Sequence, residues 1–178
     1  MKIEHMHLAS GIRNYTHKTS DPCRHLKNAF SRFATGVAIA ACRRGDHSFA
    51  VMTVNSFTSV SLKPPLVLWC LKKGASSFKN FLEADSYAIS TLNCDQQKIS
   101  QRFASNCGRS LQSEEVEIWE TGAPLLKERL AGFDCRMVSR HEAGDHVVLI
   151  GEVVQFDAKP GAPLLYFASE YAKGPHKD

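Results

Sequence analysis

Short apolar runs closed off by turn residues recur along the whole chain, and they limit the fold more than anything else in it. "GVAIAAC" (36–42), "SFAVMTV" (48–54), "PLVLWCL" (65–71), "SYAISTL" (86–92), "HVVLIGEVV" (146–154) and "LLYFA" (164–168) are each too short for an ordinary helix. Turn signals separate them: Arg44–Gly45–Asp46, Pro64–Pro65, Gly122–Ala123–Pro124, Glu142–Gly144 and Gly161–Ala162–Pro163. The stretch 132–157 reads as one hairpin turning at Glu142–Gly144. Helical spacing appears in only three places. Asp21 and Pro22 open the first as N-cap and first helical residue, with Leu26, Phe30 and Phe33 on one stripe. Gly74–Glu83 and the stretch after Asn93–Asp95 carry the others, with Phe78, Phe81 and Leu82, then Ile99 and Phe103, as inner faces. Six or seven short strands with two or three helices between them predict a mostly β fold, an antiparallel barrel with helical decorations.

The domain is expected over residues 21–173, with an N-terminal arm over 1–20 and a tail over 174–178. Residues 105–132 are polar and irregular, the length of a functional or partner-covering excursion. The chain of 178 residues, 43% of them hydrophobic, suits one domain with a real core. Its net charge of +4 is spread out, which argues against a nucleic-acid partner and suits a small anionic ligand. Six cysteines form no CxxC pair, and His5 and His7 lack further ligands, so no metal is expected. No run approaches the roughly 18 apolar residues of a membrane span, and no leader is apparent. The expectation is a reduced, cytoplasmic protein with no membrane partner.

The common nucleotide and hydrolase patterns are missing: there is no GxGxxG after a first strand, no GxxxxGK followed by Ser or Thr, and no GxSxG. What stands out is "MTVNSFTSVSLKPPLVLWCL" (52–71), where small hydroxyl and amide residues run directly into a core strand. Such residues satisfy their own backbone in turns. They also present edge donors and acceptors to a flat polar ligand without blocking its approach.

Four blocks in order decide between these. "FSRFATGVAIA" (30–40), the 52–71 stretch, "LKKGASSFKNF" (71–81) with "YAISTL" and "QQKISQRFA", and "GAPLLKERLAGFDCRMVSRHEAGDHVVLIGEVV" (122–154) with "PLLYF" resemble the short-chain flavin reductases. These are the reductase components of two-component flavin-dependent monooxygenases. The resemblance implies a flavin-binding split β-barrel and a homodimer with the flavin near the subunit interface. It implies hydride transfer from NADH or NADPH to FMN or FAD, with reduced flavin passed to a partner monooxygenase. Alternatives within the same likeness are a flavin-binding module without turnover, or a reductase serving a corrinoid or ferric acceptor.

The resemblance also implies roles for particular residues. Met52, Thr53 and Val54 would line the isoalloxazine, while Asn55, Ser56, Ser59 and Ser61 would meet its edge and ribityl chain. Thr35 would belong to the same cofactor set. Lys73, Ser76 and Ser77 would hold the phosphate, with Ala75 replacing the first hydroxyl of the family's turn, and Arg102 is a second candidate for it. Asp145 and His146 would lie on the nicotinamide side, His146 positioning the dinucleotide, with Arg32 and Tyr171 as weaker members of that side.

Overall fold

Five consecutive buried residues, Ala38 to Cys42, show how the sheet is used on both sides. They belong to β2 (Ala38–Arg43), a strand with no polar alternation because each of its faces is covered. Ala38, Ala40 and Cys42 point into one core cluster, whereas Ile39 and Ala41, with the preceding Val37, point into another. The computed structural model in which this is seen describes residues 22–46, 48–104 and 110–176.

The remaining strands follow the turn signals. They are β1 (Thr35–Gly36), β3 (Phe49–Val54), β4 (Thr58–Leu62), β5 (Pro65–Lys72), β6 (Ser86–Thr91), β7 (Val116–Ile118), β8 (Pro124–Leu126), β9 (Ala131–Ala143), β10 (His146–Ala158), β11 (Leu164–Phe167) and β12 (Glu170–Lys173). Helices are α1 (Pro22–Phe30), α2 (Phe78–Glu83) and α3 (Gln97–Ala104). Seven strands form one antiparallel sheet in the order β3-β2-β6-β9-β10-β5-β4. Inward side chains from β2, β3, β5, β6, β9 and β10 meet in a single cluster around Trp69, so the sheet curls about its own core. Its end strands β3 and β4 share no ladder among the described residues and are joined through 55–57, which leaves the barrel split. The three-stranded sheet β1-β11-β12 and α3 cover the outer cluster, with Phe103 and Leu164 buried in it.

Two expectations change. The polar stretch after β3 is not one connection: Thr58–Leu62 pairs with β5 as an edge strand, its Val60 and Leu62 exposed. The region 105–132 contains the small ladder β7–β8, too short for alternation to reveal. Cys42 and Cys135 are buried, and burial pushes the Cys42 thiol up to about 12 and raises the Cys135 thiol as well. Asp21, the expected cap, and residues 1–20 lie outside the described residues. No described helix is long and apolar enough to cross a membrane.

The barrel interior is tight at one point. Gly151 on β10 lies under the Tyr87 ring, and a Cβ there would sit 2.7 Å from Cζ and 2.9 Å from Cε1. Tyr87 is itself held edge-on against Trp69, with ring centroids 5.9 Å apart, so it has little room to yield. Gly151→Ala is therefore expected to lose about 1–3 kcal/mol of stability by overpacking, read as a lower midpoint in urea unfolding.

Candidate functional site

Two groups of polar residues stand on one rim of the barrel. The first lines a cleft of about 280 Å³ beside the end of β3. Thr53, Asn55, Ser100, Tyr166, Ser169 and Tyr171 are its polar lining residues. Ser100 organises this cleft: its carbonyl accepts from Thr53 Oγ1 at 2.6 Å, and its hydroxyl lies 2.8 Å from Tyr171 Oη. Tyr171 and Tyr166 pack edge to face at 5.3 Å. The turn between β11 and β12 places Ala168 and Ser169 at φ 51° and 67°, the left-handed region that two-residue hairpin turns of this type require. A second cavity, of about 220 Å³, shares Val37 with the first and is lined by Gly36, Phe57 and Pro163.

The second group sits at the tip of the β9–β10 hairpin. Antiparallel pairing of β10 with β5 sets His146 opposite Lys72, and Lys73 N–H donates to the Asp145 carbonyl at 3.0 Å. His146 is half-buried, with Nδ1 2.8 Å from Asp145 Oδ1. A hydrogen bond from His146, helped by its charge, holds the Asp145 carboxyl below the usual range. An ionised carboxylate only accepts, so Nδ1 carries the proton and Nε2 is left to meet a ligand. The Lys73 ammonium forms an ion pair with Glu142 on the same hairpin.

Ser56 ties the two groups together. Its hydroxyl accepts the Cys70 N–H at 2.9 Å, standing in for a strand residue just before β4 begins, and Cys70 is two residues before Lys72. The turn 55–57 thus runs from the cleft, through Asn55, to Cys70, on the strand that ends at Lys72 opposite His146.

The other predicted residues are placed as follows. Met52 packs toward the inner core, Val54 belongs to that core and also lines the cleft beside Thr53, and the exposed Ser59 stands on β4. Ser61 Oγ accepts from Lys63 N–H within its own turn. Thr35 Oγ1 is buried with no hydrogen-bond partner among the described residues, on a strand residue paired with Tyr166. Ser76 is exposed, and Ser77 is buried at the start of a six-residue helix without capping it. Arg102 gives both ends of its fork to the chain itself, to Glu115 at 2.5 and 3.1 Å and to the Ser110 carbonyl at 2.7 Å. That hydrogen bond keeps the Glu115 carboxyl below the ordinary range. Arg32 is exposed just after α1. Sequence reasoning missed Ser100, Tyr166 and Ser169. Ser100 had a usable signal, a small hydroxyl three residues before Phe103 on the inner face of α3.

A flavin fits these residues. Hydroxyls and an amide edge one cleft, the buried Thr35 hydroxyl lacks a partner among the described residues, and a lysine stands beyond the turn for an anion.

Comparison with known proteins agrees. The chain is 39% identical over 150 residues to "FMN reductase (NADH) SmoA" of Agrobacterium fabrum, covering 84% of this chain and 85% of that one. Its structure resembles the Streptomyces globisporus NADH:FAD oxidoreductase SgcE6 in complex with NAD and FAD fragments, with TM-score 0.78 and 31% identity over 88% of this chain and 96% of that one. It also resembles the styrene monooxygenase flavin reductase of Pseudomonas putida S12, with TM-score 0.77 and 31% identity over 84% and 96% of the two chains. Residues 30–175 match the flavin reductase like domain over nearly the whole described region, and the chain belongs to that family.

Proposed function

We propose that this chain is an NADH-dependent flavin reductase that takes up FMN or FAD and gives the reduced flavin to a partner monooxygenase. The observation that carries the reading is the continuous rim from the Tyr171 cleft, through Asn55 and Ser56, to Lys72 and His146. A bound flavin supplies the acceptor for the hydride of a reduced nicotinamide. The chain supplies orientation. Asn55 and Ser56 in the turn offer hydrogen bonds to the ring edge, with Thr35 on β1, Thr53 on β3, and Ser59 and Ser61 on β4 as further hydroxyls. Lys73, with Ser76 and Ser77 after it, takes the phosphate, because Arg102 is already committed to Glu115. His146, fixed by Asp145, directs Nε2 toward the carboxamide side of the nicotinamide. Two rings held face to face with water displaced need no protein acid or base. Kinship with reductases named for NADH favours that cofactor over NADPH, and the reading places the reaction in the cytoplasm.

The active form in this reading is a homodimer. Leu26, Phe30 and Phe33 on and after α1 are 50%, 68% and 77% exposed, an apolar stripe left open among the described residues. Ser31 at the end of α1 accepts from Ala168 N–H at 2.7 Å, so a second copy on that stripe would stand beside the cleft. The cleft alone lies just below the roughly 300–1,000 Å³ of ordinary ligand pockets, as a shared site would.

An anaerobic mixing experiment tests the function. Protein in catalytic amount is added to excess FMN or FAD with NADH or NADPH, and the visible band of oxidised flavin is followed. Many equivalents of flavin should bleach per chain, faster with NADH, and the same preparation should elute as a dimer. If no pairing bleaches while flavin stays bound through gel filtration, the chain is a flavin-binding module instead.

A further inference from the structure

Lys73 stands on the phosphate side of the site, yet its ammonium already has an anion. Glu142, near the tip of the β9–β10 hairpin, holds it in an ion pair. The pairing of His146 with Lys72 and the bond from Lys73 N–H to the Asp145 carbonyl bring the two side chains together across the rim. Neither is locked in. The Lys73 side chain is 41% exposed and that of Glu142 is 73% exposed.

We infer that Glu142 is a displaceable stand-in for the flavin phosphate, occupying Lys73 until a phosphate takes its place. The inference rests on the reading above in which Lys73 receives that phosphate. Two physical effects act in one direction. The carboxylate must surrender its ammonium when the phosphate arrives, and two anions then stand close to a single cation. Both weaken the hold on flavin and favour its release, which suits an enzyme whose product is reduced flavin for another protein. An exposed pair costs little to open, so the exchange adjusts affinity without obstructing binding. No bond is made or broken; one ion pair replaces another.

The test is a titration by flavin fluorescence with FMN and with riboflavin, which has the same ring and no phosphate. Glu142→Gln should tighten FMN about two- to fivefold, the range an exposed ion pair can supply. Riboflavin affinity should stay at the wild-type value. The gain should vanish in a Lys73→Ala background and shrink in about 0.5 M salt, where the screening length falls to a few ångströms. Glu120→Gln, which makes the same change in net charge away from the rim, should leave FMN binding alone. The inference is overturned if Glu142→Gln does not tighten FMN although Lys73→Ala weakens FMN and spares riboflavin. Equal tightening by Glu120→Gln would overturn it as well, because bulk charge would then explain the effect. If Lys73→Ala weakens both flavins equally, or neither, the assignment of the phosphate to Lys73 fails first.

Discussion

Arg129→Met is expected to remove about 3 kcal/mol of stability, the lower end of the range for breaking a buried ion pair from one side. The Arg129 side chain is 2% exposed and fully engaged. Nε and Nη2 grip the Asp157 carboxylate at 2.9 and 2.5 Å, Nη2 also meets Glu117 at 2.5 Å, and Nη1 donates to the Leu126 carbonyl. The guanidinium lies 4.8 Å over the Trp119 ring. These contacts fasten the β7–β8 ladder to the far end of the β9–β10 hairpin. Asp157 also accepts from Gly132 N–H at 2.9 Å, at a glycine where a Cβ would come within 2.9 Å of Arg129 Cδ. Methionine matches much of the volume but strands two carboxylates. Both keep some access to water, and for that reason the loss falls at the lower end. Against a total of about 5–15 kcal/mol it is a large fraction. Acid unfolding supplies a second readout. Burial raises the Asp157 carboxyl, but hydrogen bonds and charge from Arg129 outweigh it and hold it below the ordinary value. A depressed carboxyl contributes stability above its unfolded pKa of about 4 and loses it as pH falls through the folded value. The wild type should therefore lose stability below about pH 4 more steeply than the variant. Parallel acid limbs for the two proteins would show that Asp157 gains nothing from Arg129.

His146→Ala is expected to lower kcat/KM for NADH about 10–100-fold, while flavin affinity stays near the wild-type value. The magnitude is that of misplacing one reacting ring by about 1 Å. His146 is set by register: β10 begins with it, β5 ends opposite it at Lys72, and Asp145 fixes its ring through Nδ1. Alanine removes the group offered to the nicotinamide and leaves the turn at 55–57 intact. Stopped-flow mixing of reduced nicotinamide with the flavin-loaded enzyme separates binding from transfer. A variant that transfers hydride at the wild-type rate, or that loses flavin instead, would remove His146 from the nicotinamide side.

Much of this fold is legible in the chain because its signals are local. The unbroken apolar run of β2 announces burial on both faces, and Gly144–Asp145 between two apolar stretches announces the long hairpin. β4 and β7 escape notice because an exposed edge strand of five residues and a ladder of three carry no pattern that polar loops lack. The site is legible in part for a related reason. Thr53, Asn55, Ser56 and His146 lie inside motifs, whereas Ser100 and Tyr166 reach the cleft only through tertiary packing. The partners of charged residues are the least visible. Nothing near Arg129 in the sequence points to Asp157, 28 residues on, and nothing near Lys73 points to Glu142; only the folded arrangement of the strands and their connections brings each pair together.

The split between β3 and β4 has a consequence for how the site comes into being. The seven-stranded sheet consists of three local hairpins, β2–β3, β4–β5 and β9–β10, with β6 set between the first and the last. Each hairpin closes over a short span of chain, at a small entropic cost. Each also carries only a fragment of the rim: Thr53 on the first, Ser59 and Lys72 on the second, His146 on the third. The contacts that unite these fragments join residues dozens of positions apart. A chain with every hairpin formed but the hairpins not yet joined would have nearly native local structure and nowhere to bind a flavin. The ability to hold the cofactor is thus a property of the finished topology, absent from every piece of it.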